Sequence, residues 1–475
     1  MATGRRAVLV GAAALLAAGG LGGVTWEDRR DRRRRKPDPV PAADARESGA
    51  DAAARRGIQR TLDRRAAAVL ARDQAALAAT VTTTAQALRD SQAAMLANLA
   101  QVPVAAWSYR LQTLDAFALP PVLSEPDAAD DAASGDDPDG TVERRAVQVQ
   151  LGYRLSGFDS EPVTATQYLT FTRQAGSGGG GSGSSAGDWL LSSDSDHPGG
   201  DTQLWDLGPV TVVHGRSCLV LGLRGASTCR QIADGADRAV PAVSAVWGRS
   251  WGERTVLLAP LGTDQFGRLL GVDPLDYASI AAVTTGELGS AEAGRTERIT
   301  VNPQVWDSLN ALGRRVVITH ETTHVATRAI TEQWTPRWLS EGAANWTGYL
   351  GTGRTPAQIA PELLADLAAG RVPAALPADA AFDGSAPDLA QAYEQAWFAC
   401  RSVVLRHGQP RLVALYAAVA ATGGKGGQDA AVDTALRRTL GTGLTAFTAQ
   451  WRTDLLAAAK AAAKPAAKPS ATPTP

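Results

Sequence analysis

Apolar residues near the start of the chain's first domain follow a helical period. They recur every three or four positions after residue 57, which is typical of an amphipathic helix. The residues on this face are Ile58, Leu62, Ala66, Val69 and Leu70. A second helical pattern covers residues 73–100. Two helical stretches therefore open the domain.

The period then changes from that of a helix to that of a strand. Between residues 141 and 155 apolar and polar side chains alternate, which predicts a half-buried strand. Its apolar face consists of Val147, Val149, Leu151, Tyr153 and Leu155. Similar patterns predict strands at 167–174, 189–193 and 210–214. Helices followed by an antiparallel sheet indicate an α+β domain.

The second half of the chain begins with alternating elements and ends in helices. A helical pattern at 232–246 leads to predicted strands at 254–259, 277–285 and 297–301. The remaining pattern is helical almost to the end of the chain. The sequence thus predicts a second, α/β domain with a mostly helical C-terminal half.

Composition shifts place the boundaries between these parts. Residues 125–140 are an acidic low-complexity loop and residues 176–187 are a Gly/Ser-rich connection, for which solvated loops are the expected structure. The predicted parts are a signal peptide or membrane anchor at 1–26, a basic and Pro-rich linker at 27–53, domains at 54–215 and 216–460, and a disordered Pro/Ala/Lys tail at 461–475.

The N-terminal segment has the pattern of an export signal. Arg5 and Arg6 precede an apolar run at residues 7–24, long enough to be either a cleaved signal or an uncleaved anchor. The arginine pair also resembles a twin-arginine signal. A basic cluster at 28–36 opposes simple export, because positive charge favours the cytoplasmic side. We expect an extracytoplasmic protein, membrane-anchored through residues 7–24 or secreted.

Charge and cysteine content exclude several classes of protein. The formal net charge is −1, from 47 basic and 48 acidic residues, so no nucleic-acid partner is expected. Three cysteines exclude a disulfide-dense scaffold. Cys218 and Cys229 could form a small-loop disulfide or remain two buried thiols, and Cys400 fits a helix core.

Two of the five histidines lie in an H-E-x-x-H motif, within RVVITHETTH. On a helix, His320 and His324 share one face, so both imidazoles can reach one ion. Glu321, beside the first histidine, can activate water. The later phrase WTPRWLSEGAANWTGYLG predicts a helix that begins with Thr335 as N-cap and Pro336 as first residue.

Glu341 on that helix is the predicted third ligand. Two histidines and one glutamate leave a fourth position open, as in a catalytic zinc site. The alternatives for Glu341 are a surface carboxylate or an ion pair with Arg337.

The two motifs together resemble the gluzincin zinc metallopeptidases, and most closely the peptidase MA-like group. The resemblance implies a gluzincin-type fold for the second domain, with His320, His324 and Glu341 as Zn²⁺ ligands. It implies Glu321 as the general base that activates the zinc-bound water for peptide-bond hydrolysis. The phrase RTLDRRAAAVLARDQAALAAT resembles the opening helices of the nuclear-transport-factor-2-like superfamily, which implies a cystatin-like α+β roll for the first domain.

The same resemblance suggests further residues at the site. Tyr393, and after it Tyr349, are the expected oxyanion stabilisers. Asn345 could accept the second ring N–H of a ligating histidine. The strand at 297–301 could pair with an extended peptide or protein substrate. No G-x-M-E-N phrase is present, so an endopeptidase is favoured over an aminopeptidase.

Two other functions fit the sequence. The protein could be a non-catalytic extracytoplasmic sensor or binding protein in which the zinc site is vestigial. It could also carry a structural zinc site closed by a fourth protein ligand.

Overall fold

The computed structural model describes residues 48–120, 142–174, 188–285, 297–384 and 386–463. These residues form two compact units, divided between Val210 and Thr211. Both units mix helices with antiparallel strand pairs, so the predicted α+β class is confirmed.

Several predicted segments lie outside the described residues. They are the signal or anchor at 1–26, the acidic loop at 125–140 and the glycine-rich connection at 176–187, with most of the linker at 27–53 and of the tail at 461–475. None of the described helices combines the length and hydrophobicity that a bilayer crossing requires.

The first unit begins with a capped helix. The hydroxyl of Ser48 accepts a hydrogen bond from the backbone N–H of Asp51 at 3.0 Å, so the helix starts at Gly49, five residues before the predicted start of the domain at residue 54. The second predicted helix is interrupted around the β-branched run at 80–84. The elements are α1 Gly49–Ala71, α2 Gln74–Ala78, α3 Gln86–Asn98, β1 Val104–Leu114, β2 Val142–Leu155, β3 Val163–Gln174 and β4 Leu190–Ser193.

These four strands form one antiparallel sheet in the order β1-β2-β3-β4. Val149 of β2 lies opposite Leu111 of β1 and Gln167 of β3. The predicted apolar face of β2 is buried, which confirms its alternation. Helix α1 is fixed to the sheet by Gln59, whose side-chain amide donates to the carbonyl of Tyr109 and accepts from the N–H of Leu111.

The second unit contains five short strands and eleven α-helices among the described residues. The strands are β5 Thr211–His214, β6 Cys218–Gly222, β7 Thr255–Ala259, β8 Ala282–Thr285 and β9 Arg298–Val301. The helices are α4 Ala226–Trp247, α5 Thr263–Leu270, α6 Pro303–Ser308, α7 Ala311–Thr327, α8 Arg337–Tyr349, α9 Pro356–Ile359, α10 Pro361–Ala368, α11 Leu389–His407, α12 Gln409–Ala420, α13 Gln428–Leu440 and, last, α14 Leu444–Ala462.

The second sheet has the order β5-β6-β7-β9-β8, and it corrects three predictions. Strand β5, predicted as part of the first domain's sheet, pairs with β6 instead. Only Ala282–Thr285 of the predicted strand 277–285 is extended, because Asp273 and Pro274 begin a 3-10 turn that ends at Tyr277. Strand β9, predicted as the peptide-pairing edge, lies inside the sheet.

Strand β8 is one edge of the described sheet, and β5 is the other. Strand β9 pairs in parallel with β7 on one side and antiparallel with β8 on the other, so both of its edges are occupied. The sheet thus ends in an antiparallel strand next to the helices that follow it.

Helices α7 and α8 lie in the interior of the second unit. Every residue of α8 is buried, and so is the stretch of α7 from Val316 to His324. A helix that is buried on all sides carries its polar groups away from water, so each needs a partner. Four threonines of α7 meet this need by donating their hydroxyls to the carbonyl four residues earlier.

Gly342 of α8 allows a close approach to α11. A Cβ at this position would lie 2.3 Å from the carbonyl oxygen of Ala396 and 2.8 Å from the sulfur of Cys400. We expect Gly342→Ala to lower the free energy of unfolding by about 1–3 kcal/mol, because backbone must move to admit the methyl group. Urea denaturation measures the change.

Gly235 of α4 supplies the matched control. A Cβ there would meet Ile318 at 3.5 Å, an ordinary contact, so Gly235→Ala should be neutral or stabilising by helix propensity. Equal destabilisation by both substitutions would contradict the close-approach explanation.

Candidate metal centre

The H-E-x-x-H residues lie in the middle of α7. Asn310 caps the helix by accepting the N–H of Gly313 at 2.9 Å, and the helix continues to Thr327. His320 and His324 project from one face, and their Nε2 atoms are 3.0 Å apart. The expected placement of the motif on a helix is confirmed.

Glu341 of α8 completes a group that could hold a metal ion. Its Oε2 lies 3.3 Å from Nε2 of His320 and 3.5 Å from Nε2 of His324. The side chain is fully buried. It makes no ion pair with Arg337, which instead pairs with Asp383 at 3.0 Å and donates to the carbonyl of Phe382.

The separations of the three donor atoms fit one ion. Nitrogen and oxygen ligands at about 2.0–2.1 Å from a tetrahedral zinc lie about 3.3 Å from one another. Both carboxylate oxygens of Glu341 are buried and accept no hydrogen bond within the described ranges. A cation would satisfy them, since burial of a carboxylate without a partner is costly.

The charges of the group are coupled. Burial alone would raise the pKa of Glu341, but the two histidines lower it to about 2. Burial acts to lower the pKa of His320, and the close contact with Glu341 and the nearby carboxylate charges raise it overall. Burial lowers the pKa of His324. A negative carboxylate beside two imidazoles is the donor set that a divalent cation prefers.

Asn345 orients the first histidine. Its side-chain oxygen lies 2.9 Å from Nδ1 of His320, which leaves Nε2 facing His324 and Glu341. A hydrogen bond from Nδ1–H to this oxygen fixes the ring and its tautomer. This is the contact that the sequence analysis suggested for Asn345.

Glu321 is held by a residue that the sequence did not indicate. The hydroxyl of Thr284, on edge strand β8, donates to Oε2 of Glu321 at 2.7 Å. The other oxygen, Oε1, is buried and accepts no hydrogen bond from the described part of the chain. Burial raises the pKa of Glu321 to about 8, although the charge of His320 and the Thr284 hydrogen bond act in the opposite direction. No motif includes Thr284, because it reaches the site through strand pairing.

The start of α8 differs slightly from its prediction. The helix begins at Arg337, one residue later than expected, with Pro336 in the N-cap position. The hydroxyl of Thr335 accepts the N–H of Glu332 at 3.0 Å and so stabilises the preceding turn. Glu341 nonetheless lies on the helix, as predicted.

Tyr393 of α11 lies beside the metal group. Burial raises its pKa well above the ordinary value, and the charges of Glu341 and Glu321 contribute to the increase. Its ring packs edge-on against Phe382, with centroids 5.2 Å apart. Tyr349 lies near a different carboxylate, that of Glu394. Burial, together with the charge of Glu394, raises the pKa of Tyr349. Of the two tyrosines, the structure brings Tyr393 to the metal group.

Glu394 is a buried acid outside the metal group. It accepts the backbone N–H of Leu363 at the start of α10. Burial, with a hydrogen bond shared with Glu362, raises its pKa to about 10. The folded protein therefore keeps this proton at neutral pH, whereas the unfolded chain releases it near pH 4.5.

This proton makes the stability depend on pH. We expect the wild type to lose stability relative to Glu394→Gln as pH rises from 5 to 9, by at most about 1.4 kcal/mol per pH unit. The sign follows because the folded state binds one proton more than the unfolded state throughout this window. Urea denaturation of both proteins at several pH values checks it, and a difference that does not change with pH would contradict it.

The cysteines are free thiols. Cys218 and Cys229 are buried and unpaired with each other, so of the two structures left open by the sequence the thiols are present and the disulfide is not. Cys218 faces Asp237 and Cys229 faces the carbonyl of Arg224. Burial, with the charge of Asp237, raises the pKa of Cys218 to about 12.

Comparison with protein-family models, curated proteins and solved structures finds no match to this chain. The family is therefore a proposal, and it depends on the motifs and on the geometry of the metal group.

Proposed function

We propose that this chain is a zinc-dependent peptidase of the gluzincin type. The observation that carries the proposal is the buried group of His320, His324 and Glu341, whose donor atoms are spaced for one ion. Three protein ligands leave a fourth position for water or substrate, which supports a catalytic site over a structural one. Zinc bound there supplies a Lewis acid that polarises a carbonyl group and makes water more acidic.

Glu321 has the position of a general base. Thr284 holds one of its oxygens, and the other is free of hydrogen bonds within the described ranges. The free oxygen can accept a proton from the attacking water and return it to the nitrogen of the departing amine. Its low-polarity surroundings favour this exchange, because they make the carboxylate a stronger base than in water.

Tyr393 could supply a hydrogen-bond donor beside the group. Its phenol stays protonated at neutral pH, since burial and two carboxylates raise its pKa. A neutral hydroxyl held in a buried site can donate a hydrogen bond to the oxygen on which negative charge develops. This supports the role of oxyanion stabiliser.

Strand β8 is the element that could align an extended peptide. It is the edge of the described sheet that lies at the metal group, since Thr284 within it contacts Glu321. A peptide that pairs with this edge would run past the general base. Because no G-x-M-E-N phrase is present to bind an amino terminus, we favour an endopeptidase over an aminopeptidase.

The remaining parts of the proposal concern the chain around the catalytic domain. We propose a cystatin-like roll for the first unit, on the basis of three helices followed by a four-stranded antiparallel sheet. We propose that residues 7–24 export the protein or anchor it in a membrane, so that peptides outside the cytoplasm are its substrates.

Metal analysis with a peptidase assay tests the proposal. We expect the full-length protein to contain one zinc per chain and to cleave members of a fluorogenic peptide library. A chelator should abolish cleavage and added zinc should restore it. Bound zinc without cleavage would favour the sensor or structural alternative, and absence of bound metal would refute the ligand assignment.

A further inference from the structure

Among the three residues of the metal group, His324 is the one that reaches solvent. The side chains of His320 and Glu341 are 1% and 0% exposed, whereas that of His324 is 10% exposed. A ligand that approaches the group from solvent therefore meets His324 first. The residues next to His324 on the same face of α7 are placed to contact such a ligand.

Arg328 is the next residue on that face. It follows His324 by four positions, and its backbone angles, φ −51° and ψ −46°, continue the helix. Residues four apart in a helix lie one above the other. Its positive charge is near enough to lower the pKa of His324, in addition to the larger effect of burial. The guanidinium thus lies beside the exposed rim of the metal group.

The contacts of Arg328 leave a hydrogen-bond donor of its guanidinium group unused. The side chain is only 9% exposed, and its one ion pair with a described residue joins Nε to Oε2 of Glu297 at 3.6 Å. Charge-assisted hydrogen bonds of arginine are about 2.7–2.9 Å long, so this pair is a loose one. The Nε–H is buried and donates no hydrogen bond within the described ranges. A buried guanidinium without such bonds is costly unless a ligand completes it.

We infer that Arg328 binds a carboxylate of the peptide substrate, and so selects peptides that carry one near the scissile bond. One helical turn rises about 5.4 Å, whereas an extended peptide advances about 3.3–3.6 Å per residue. The carboxylate therefore belongs one or two residues from the scissile bond. It is either an acidic side chain or the free carboxyl terminus, and a guanidinium binds both in the same bidentate manner. This inference rests on the proposed peptidase function.

Equilibrium binding to an inactive variant provides the main test. Three peptides share one neutral core: one is amidated with glutamine near the scissile bond, one is amidated with glutamate there, and one ends in a free carboxylate. We expect full-length Glu321→Gln, loaded with zinc, to bind at least one carboxylate peptide about 10–100-fold more tightly than the neutral peptide. The peptide that binds more tightly than the neutral one shows whether Arg328 recognises an acidic side chain or the free carboxyl terminus.

Arg328 variants in the same background assign the effect to this residue. Arg328→Gln should abolish the preference and leave binding of the neutral peptide unchanged, and Arg328→Lys should keep part of it. Zinc content and the melting temperature of each variant show whether the metal group and the fold are intact. Equal loss of binding for all three peptides would show a structural role with Glu297 and would overturn the inference.

Hydrolysis by the wild type separates this inference from the proposed function. Cleavage of all three peptides with equal kcat/KM, together with their equal binding by Glu321→Gln, would overturn the role of Arg328. The proposed peptidase function would still be supported. A preference in binding without any cleavage would support carboxylate recognition and refute the peptidase. Neither binding nor cleavage of any peptide would overturn both.

Discussion

Replacing Glu321 with glutamine should lower kcat by about 10³-fold and leave zinc in place. Glutamine keeps the size of the side chain and can still accept the hydrogen bond from Thr284, but it cannot take a proton from water. General acid–base groups typically contribute about 10²–10⁴-fold to the rate. Steady-state hydrolysis of a fluorogenic peptide and metal analysis of the same sample measure the two effects.

Glu394→Gln is the matched control for this substitution. Glu394 is equally buried in the same unit, and its raised pKa means that glutamine replaces a neutral acid. We expect its zinc content and kcat at pH 7 to equal those of the wild type. An unchanged kcat in Glu321→Gln would remove Glu321 from the mechanism, whereas a loss in both variants would indicate a general effect of altering buried glutamates.

Replacing Glu341 with glutamine should weaken zinc binding by more than about 100-fold. Changes to residues that only support a ligand typically cost 10–100-fold in metal affinity, and a direct anionic ligand should cost more. In the wild type, zinc at 100 times its Kd stabilises the folded state by about 2.7 kcal/mol. The variant should show almost none of this stabilisation at the same zinc concentration. Equilibrium dialysis and thermal unfolding with and without zinc measure both quantities.

Asn345→Ala provides the comparison for the loss of zinc affinity in Glu341→Gln. Asn345 contacts Nδ1 of His320 but offers no atom to the ion, so its loss should cost only about 10–100-fold in zinc affinity. Zinc binding by Glu341→Gln that equals that of the wild type would refute Glu341 as a ligand. A larger effect of Asn345→Ala than of Glu341→Gln would indicate that the two roles are reversed.

The helices that carry the candidate ligands could be predicted because their signals are local. The i, i+4 spacing of His320 and His324 requires only a helix, and α7 provides it. The start of α8 was predicted to within one residue, since Pro336 marks it. Strand β2 was predicted by alternation, because only one of its faces is buried.

The elements that were missed have no local signal. Strand β6, Cys218–Gly222, is buried at every position, so its apolar residues do not alternate, and no strand was predicted there. Strand β5 was placed in the wrong sheet because periodicity identifies strands and not their partners. The same limit led to the choice of β9 as the edge, although the antiparallel return of β8 occupies that position.

Two residues near the metal group were missed for the same reason, the lack of a local signal. Thr284 reaches Glu321 through the position of β8 in the sheet, 37 residues away along the chain. Arg328 differs from Thr284, because its spacing of four residues from His324 is visible in the sequence. Only its burial and its long ion pair, however, distinguish it from a surface arginine. Pairing and burial are tertiary properties, so local patterns do not contain them.

The complete burial of α8 has a consequence for the kinetics of metal exchange. An ion held by His320 and Glu341 would be bound between two buried side chains, and of the three ligands only His324 is partly exposed. Release must then wait for the His324 side to open or for the interior to unfold locally. A chelator at saturating concentration should therefore remove zinc at a rate set by the protein rather than by the chelator. The ion would remain bound long after the free zinc around it has disappeared.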